Sequence, residues 1–365
     1  MYQLTDYSTF SNRLFLLNFS RLSQLWIIAA FIIKMADLGN HVTRITNQGK
    51  HKLWSFYSCI LIAYLVIITI MQIFAKFTIL ITILVVIAIP AASQQVPSPL
   101  DKSCDPKLQK GLEHCLTELK LNTAAARKLL SLALVDITDP SAPRYAYINP
   151  NEMMYAASLP KIAILLGAFE RISKGEMTLN TEIQQKLASM IRNSSNHAAT
   201  EILNLVGKAY LAKLLQSPRY RLYDPKKNGG LWVGKEYSKS GAWKRDPLHN
   251  LSHGATALQV ARFYYMLQTG RLVSPELSRK MKSILADPAI DHKFVKGLKS
   301  IHPKSRIYRK SGTWKHYHAD SAIVEHDGRR YIAVALAKSP QGGKWLSDLI
   351  VAMDDLIFQS DTTSN

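Results

Sequence analysis

Long apolar runs dominate the start of the chain and periodic, mixed patterns the rest, with the change near residue 93. Residues 25–33 (LWIIAAFII) are too short to span a bilayer, whereas 53–75 (LWSFYSCILIAYLVIITIMQIFA) are long enough. The run 77–89 is almost wholly Ile, Leu, Val and Thr. A single helix over 53–89 would measure about 55 Å, too long for a hydrocarbon core of roughly 30 Å. A simpler reading begins at Met71. From there the chain shows a short start with one lysine, a 13-residue apolar stretch, then Pro90 and the small residues Ala91, Ala92 and Ser93. That is the layout of a secretory leader cleaved near Ser93. Residues 1–70 then read as an upstream extension holding the spanning candidate 53–75. Residues 71–93 are the leader or, uncleaved, a membrane anchor, and 94–105, opening QQVPSP, form a linker. The remaining domain, 106–365, is expected to be exported: periplasmic, or anchored on the outer side of the inner membrane.

Within that domain, PKLQKGLEHCLTELK (106–120) sets Leu108, Leu112, Cys115, Leu116 and Leu119 on one helical face. SLALVDIT (131–138) and RYAYINP (144–150) read as strands across a proline-containing turn. A helix over 158–172 carries an inward stripe of Ile162, Leu165, Leu166, Phe169 and Ile172. Helical patterns continue at 181–192, 196–206 and 255–268, and 217–253, rich in Gly, Lys, Pro and Ser, reads as a long functional loop. RIYRKSGTW (306–314), DSAIVEH (320–326) and YIAVALA (331–337) are strands, the last two joined by the hairpin signal Asp327-Gly328, and 344–358 is an amphipathic helix. Strands at both ends with helices between predict an α/β (α+β) domain. Its antiparallel sheet is built from both ends and flanked by helices, beside a mainly helical lobe, with the active site between them.

Charge narrows the partners. The chain has 46 Lys+Arg against 26 Asp+Glu, a net charge of +20, of which about +15 lies after residue 93. Such a field favours anionic surroundings or carboxylate-bearing substrates. No arginine-rich run, zinc spacing or aromatic RNA-binding pattern accompanies it, so no nucleic-acid partner is expected. No Cys-x-x-Cys or Cys/His metal spacing occurs. Cys104 and Cys115 would form a short-loop disulfide in an exported domain and remain thiols in a cytosolic one.

Candidate chemistry starts at Ser158-Leu159-Pro160-Lys161, the one Ser-x-x-Lys in the chain. Pro160 suits a first helical turn, so Ser158 sits at a helix N-terminus with Lys161 on its face, within reach of the hydroxyl. Peptide N–H groups there suit a developing oxyanion, and a lysine desolvated against Ile162 and Leu165 can serve as base. Ser194-Ser195-Asn196 precedes a second helix, an ordinary cap or a loop tip facing a cleft. Lys310-Ser311-Gly312 lies in the strand before the hairpin, where glycine permits close approach to the backbone. A near-copy, Lys239-Ser240-Gly241, occurs in the long loop.

The ordered set Ser158-x-x-Lys161, Ser194-x-Asn196 and Lys310-Ser311-Gly312 resembles the three motifs of class A β-lactamases and related penicillin-binding proteins, over roughly 100–360. The resemblance implies that Ser158 attacks an amide carbonyl while Lys161 and Ser194 shuttle protons. Asn196 would hold the substrate's side-chain amide, and Lys310 and Ser311 its carboxylate. The backbone N–H groups of Ser158 and Thr313 would form the oxyanion hole. No metal and no cofactor are expected. Two departures stand out. Only 36 residues separate Ser158 from Ser194, and the long loop lacks the Glu-x-x-Leu-Asn pattern that supplies a water-activating glutamate. Glu236 is the available substitute; without such a base the acyl-enzyme hydrolyses slowly. The expected partner is thus a small β-lactam. The alternatives are a peptidoglycan stem peptide ending in D-Ala-D-Ala, or service as a sensor module acylated once. A monomer is expected.

Overall fold

A computed structural model describes residues 61–75, 100–239 and 241–359, and the chain divides into two units, Met1–Gln94 and Gln95–Asn365. Of the first, 61–75 form a helix with nearly all side chains exposed. Among the described residues no helix is long and apolar enough to cross a membrane. The start of the span candidate 53–75, the leader-like stretch beyond residue 75 and residues 94–99 of the linker lie outside the described residues.

The second unit runs α1 (Pro106–Glu118), α2 (Asn122–Ala126), β1 (Leu130–Asp136), β2 (Arg144–Ile148), β3 (Met154–Tyr155), α3 (Lys161–Ser173), α4 (Thr181–Arg192), α5 (Asn196–Val206) and α6 (Lys208–Gln216). There follow β4 (Tyr223–Asp224), β5 (Gly229–Gly230), β6 (Trp232–Val233), β7 (His253–Ala255), α7 (Ala257–Gln268), α8 (Pro275–Leu285) and α9 (Phe294–Ile301). The chain closes with β8 (Arg306–Trp314), β9 (Tyr317–His326), β10 (Arg329–Lys338) and α10 (Gly342–Gln359).

One five-stranded antiparallel sheet, ordered β2-β1-β10-β9-β8, joins the two ends of the unit, as the pattern of strands predicts. Strand β1 is buried along its whole length, which explains why SLALVD lacks polar alternation. Its side chains still divide with period two: Ala133 and Val135 join the core under the helical lobe, while Leu130, Leu132 and Leu134 join the core under α1, α9 and α10. The β9–β10 turn takes Asp327 and Gly328 at φ 45° and 76°, the left-handed pair that a two-residue hairpin requires.

Helix α3 departs from its predicted form. It begins at Lys161, with Pro160 as cap, and every residue from Lys161 to Glu170 is buried. The one-sided stripe is in fact an all-round apolar surface, the mark of a helix at the centre of a lobe. The predicted loop 217–253 is likewise more ordered than expected: it carries short strands, and β7 pairs with both β3 and β6.

The Cys104–Cys115 disulfide is not made; both cysteines are free. Asp105 caps α1, so Cys104 precedes the helix, while Cys115 lies some three turns along it with its Sγ 3.7 Å from Ala352 O. At 1.5 Å rise per residue the two are about 15 Å apart along the axis, far beyond the 4.4–6.8 Å Cα separation of a bridge.

Behind β8, Arg309 and Asp320 form a buried ion pair at 2.7 Å, both side chains almost fully inaccessible. Arg309 also donates to Ile290 O and His292 O. Arg309→Met leaves a buried carboxylate without its cation and should lower unfolding stability by about 3–5 kcal/mol, read by urea denaturation.

Candidate active site

Ser158 lies in the turn between β3 and α3, anchored where Ala156 N donates to His253 O of β7 at 3.1 Å. Ala157, immediately before it, sits at φ 48°, a conformation that non-glycine residues rarely adopt and that recurs at functional sites. Gly312 of β8 faces this turn at very close range. A Cβ there would stand 2.1 Å from Ala156 O and 2.9 Å from the amide nitrogens of Ser158 and Leu159. The glycine of Lys310-Ser311-Gly312 is therefore the space that lets the strand and the Ser158 turn meet.

Lys161, the first residue of α3, is fully buried. Its ammonium donates to Ser194 O at 2.6 Å and Asn196 Oδ1 at 2.8 Å, and lies 3.5 Å from Ser194 Oγ and 4.5 Å from the centre of the Tyr237 ring. Its hydrogen bonds thus run to the Ser194–Asn196 loop. Burial strips water from the ammonium and pushes its pKa down to about 7. Ser194 is held at φ 58°, and the Ser195 hydroxyl caps α5 through Ala198 N. From the opposite side Lys310, also buried, donates to Ser194 Oγ at 2.9 Å and to Ser311 O at 2.8 Å. Burial and the nearby Lys161 hold its pKa well below the ordinary amine value. Two buried lysines thus converge on one half-buried serine hydroxyl.

Next on β8, the Ser311 hydroxyl lies 3.1 Å from His292 Nε2. Burial and the charges of Arg309 and Lys293 push the His292 pKa down to about 4, so the ring is neutral at pH 7. Lys293, buried beneath the strand, donates to Gly312 O at 2.6 Å, Thr313 Oγ1 at 2.7 Å and Ala319 O at 3.1 Å. It holds β8 where the predicted oxyanion donor Thr313 N–H begins.

Ser158, Asn196 and Thr313 line a cleft of about 920 Å³ with an aromatic wall of Tyr155, Tyr237, Trp314 and Tyr317. Lys235, Lys239 and Arg245 make its rim basic. Glu236 also lines it, but its carboxylate is engaged by Lys208 Nζ at 2.7 Å. Lys239 and Gly241 of the second Lys-Ser-Gly border the same cleft from the loop. The structure therefore brings Ser158, Lys161, Ser194, Asn196, Lys310, Ser311, Gly312 and Thr313 to one place, with Glu236 at its edge and tied elsewhere.

Sequence reasoning missed Tyr237 and His253. The Tyr237 hydroxyl donates to Ala157 O at 3.3 Å, and its ring lies 4.3 Å from that of His253. Burial pushes the His253 pKa down to about 4. The signal available was the aromatic content of a loop already marked as functional. His292 and Lys293 gave none, since they fall between elements in a stretch without periodicity.

A model of the β-lactamase enzyme family matches residues 117–187 and 181–360. No curated protein matches the chain. Among solved structures, PBP-A is 16% identical over 70% of this chain and 96% of its own, with a TM-score of 0.52. A single-residue variant of PBP-A, solved as its acyl-enzyme complex with penicillin G, gives 16%, 70%, 97% and 0.52. A β-lactamase from Sphaerobacter thermophilus DSM 20745 gives 15%, 67%, 95% and 0.52. At such identities the likeness is one of fold.

Gly312→Ala should lower stability by about 1–3 kcal/mol through overpacking. Urea denaturation should show that loss as a lower unfolding midpoint. Gly241→Ala, whose new Cβ meets nothing within 4 Å, should leave the unfolding midpoint unchanged.

Proposed function

The chain belongs to the β-lactamase enzyme family, and from that premise we propose that Ser158 opens the amide of β-lactams through a covalent acyl-enzyme. The observation that carries this reading is the buried pair of lysines flanking Ser194 Oγ beside the Ser158 cleft. A neutral Lys161 amine takes the Ser158 proton, directly or through Ser194, as the hydroxyl oxygen bonds to the carbonyl carbon. The peptide N–H groups of Ser158 and Thr313 stabilise the oxyanion. On collapse the C–N bond breaks, and the ring nitrogen receives the proton through Ser194. Asn196 uses its Oδ1 on Lys161, leaving its amide N–H groups for the substrate's side-chain carbonyl. Lys310, Ser311 and the basic rim suit the substrate carboxylate.

Hydrolysis of the acyl-enzyme needs a base for water. Glu236 is the carboxylate on the cleft lining, and its ion pair with Lys208 lowers its availability. That pairing favours slow deacylation, the behaviour of a penicillin-binding peptidase whose natural substrate is a stem peptide ending in D-Ala-D-Ala. An exported domain, as the leader-like 71–93 suggests, would meet either substrate.

Rapid mixing with a chromogenic cephalosporin tests both. Sustained turnover supports the lactamase; one stoichiometric burst with a stable mass adduct supports the penicillin binder, and D-Ala release from a stem peptide the peptidase. Ser158→Ala should abolish every one of these, and activity surviving in it would end the assignment. Because burial favours the neutral Lys161 amine, acylation should rise about tenfold per pH unit up to about 7 and then level off. Lys161→Met should slow it by about 10²–10⁴-fold across that range, as stopped-flow rates would show.

A further inference from the structure

At the far end of the β9–β10 hairpin, two histidines and two aspartates are set around one point. His302 caps the C-terminus of α9, His326 ends β9, Asp327 occupies the turn, and Asp354 lies on α10. The imidazole rings stack at 4.3 Å with 29° between their planes, and Phe358 stacks on His326 at 4.6 Å. On one side both Nε2 atoms face the fully buried Asp354 carboxylate, His326 at 2.7 Å and His302 at 3.3 Å. Tyr331 OH donates to the same carboxylate at 2.6 Å. On the other side both Nδ1 atoms face Asp327 Oδ2, His326 at 3.1 Å and His302 at 4.0 Å.

The chemistry of that arrangement is one-sided. A neutral His326 imidazole that donates its Nε2–H to Asp354 Oδ1 keeps a lone pair on Nδ1, and here that lone pair meets Asp327 Oδ2 at 3.1 Å, while His302 Nδ1 stands 4.0 Å from the same oxygen. Two acceptors face one another unless something positive stands between them. A proton on one ring resolves one contact, whereas protons on both would set two cations in a stack 4.3 Å apart. A metal ion resolves both contacts at once. One ligand atom from each of His302, His326 and Asp327 already lies within 4.8 Å of the others. Bonds of about 2.0 Å at tetrahedral angles need ligand atoms about 3.3 Å apart, so a small closure completes the site.

We propose that His302, His326 and Asp327 bind a zinc ion, with the buried Asp354 carboxylate orienting the His326 imidazole through its Nε2. Two nitrogens and one carboxylate oxygen suit zinc, and a histidine whose second ring nitrogen donates to a carboxylate is the usual support for a metal ligand. The fourth position opens onto a cavity of about 580 Å³ bordered by Thr138, Lys304, Arg306 and Arg330. Arg306 and Arg330 are already engaged by Glu325, at 3.6 and 2.7 Å, which tempers their repulsion of a cation. No residue lining the Ser158 cleft lines this cavity, so the ion is structural: it ties the hairpin to α9 and α10.

Titration of the tag-free full chain with zinc against a chromogenic chelator tests this. One equivalent should bind, with affinity at least about tenfold weaker in Asp327→Asn and in His302→Gln. The cobalt-loaded chain should show the visible absorption of tetrahedral coordination, lost in both variants. Asp327 is exposed, so its variant keeps the fold, which circular dichroism confirms. Absence of stoichiometric zinc binding, or binding undiminished in both variants, overturns the proposal.

Discussion

The site rests on the cost of burying two ammonium groups around one hydroxyl. Removing an ammonium from water costs several kcal/mol even after relaxation, and Lys161 and Lys310 both carry that burden. The protein offsets it with fixed oxygens: Ser194 O and Asn196 Oδ1 for Lys161, Ser194 Oγ and Ser311 O for Lys310. The result is a pair of amines whose burial favours the neutral form. Neither the helix that starts at Lys161 nor the strand that carries Lys310 could shift without stranding one of them.

Geometry is enforced at the same place by local backbone strain. Ala157 and Ser194, at φ 48° and 58°, hold conformations that only the surrounding packing maintains. Gly312 then sets how near strand and turn approach, because any side chain would strike Ala156 O. Lys293 braces the strand from behind through Gly312 O and Thr313 Oγ1. The precision of the cleft comes from these contacts.

Much of this was legible in the sequence because it rests on short-range rules. The strand YIAVALA, the Asp-Gly turn and the capped helices at 181–192 and 196–206 each follow from local chemistry. The Ser-x-x-Lys, Ser-x-Asn and Lys-Ser-Gly motifs were readable because each combines a reactive group with the cap, loop or strand that aims it. What escaped was determined at long range. Helix α3 is buried all round only because other helices cover its far side, and Cys104 and Cys115 are separated by a helix axis that residue counting ignores. Lys208, which binds the Glu236 carboxylate, lies 28 residues away in sequence, and no pattern announces the pair.

The pairing of β1 with β10 joins residues 130–136 to 331–337, so the sheet closes only with the last strand of the domain. A nascent chain leaving the ribosome would therefore carry Ser158 and Lys161 long before Lys310 could reach Ser194. Until then the molecule has Ser158 but no cleft around it. Because that pairing spans most of the domain, its contacts carry a large loop-closure cost and form late in folding.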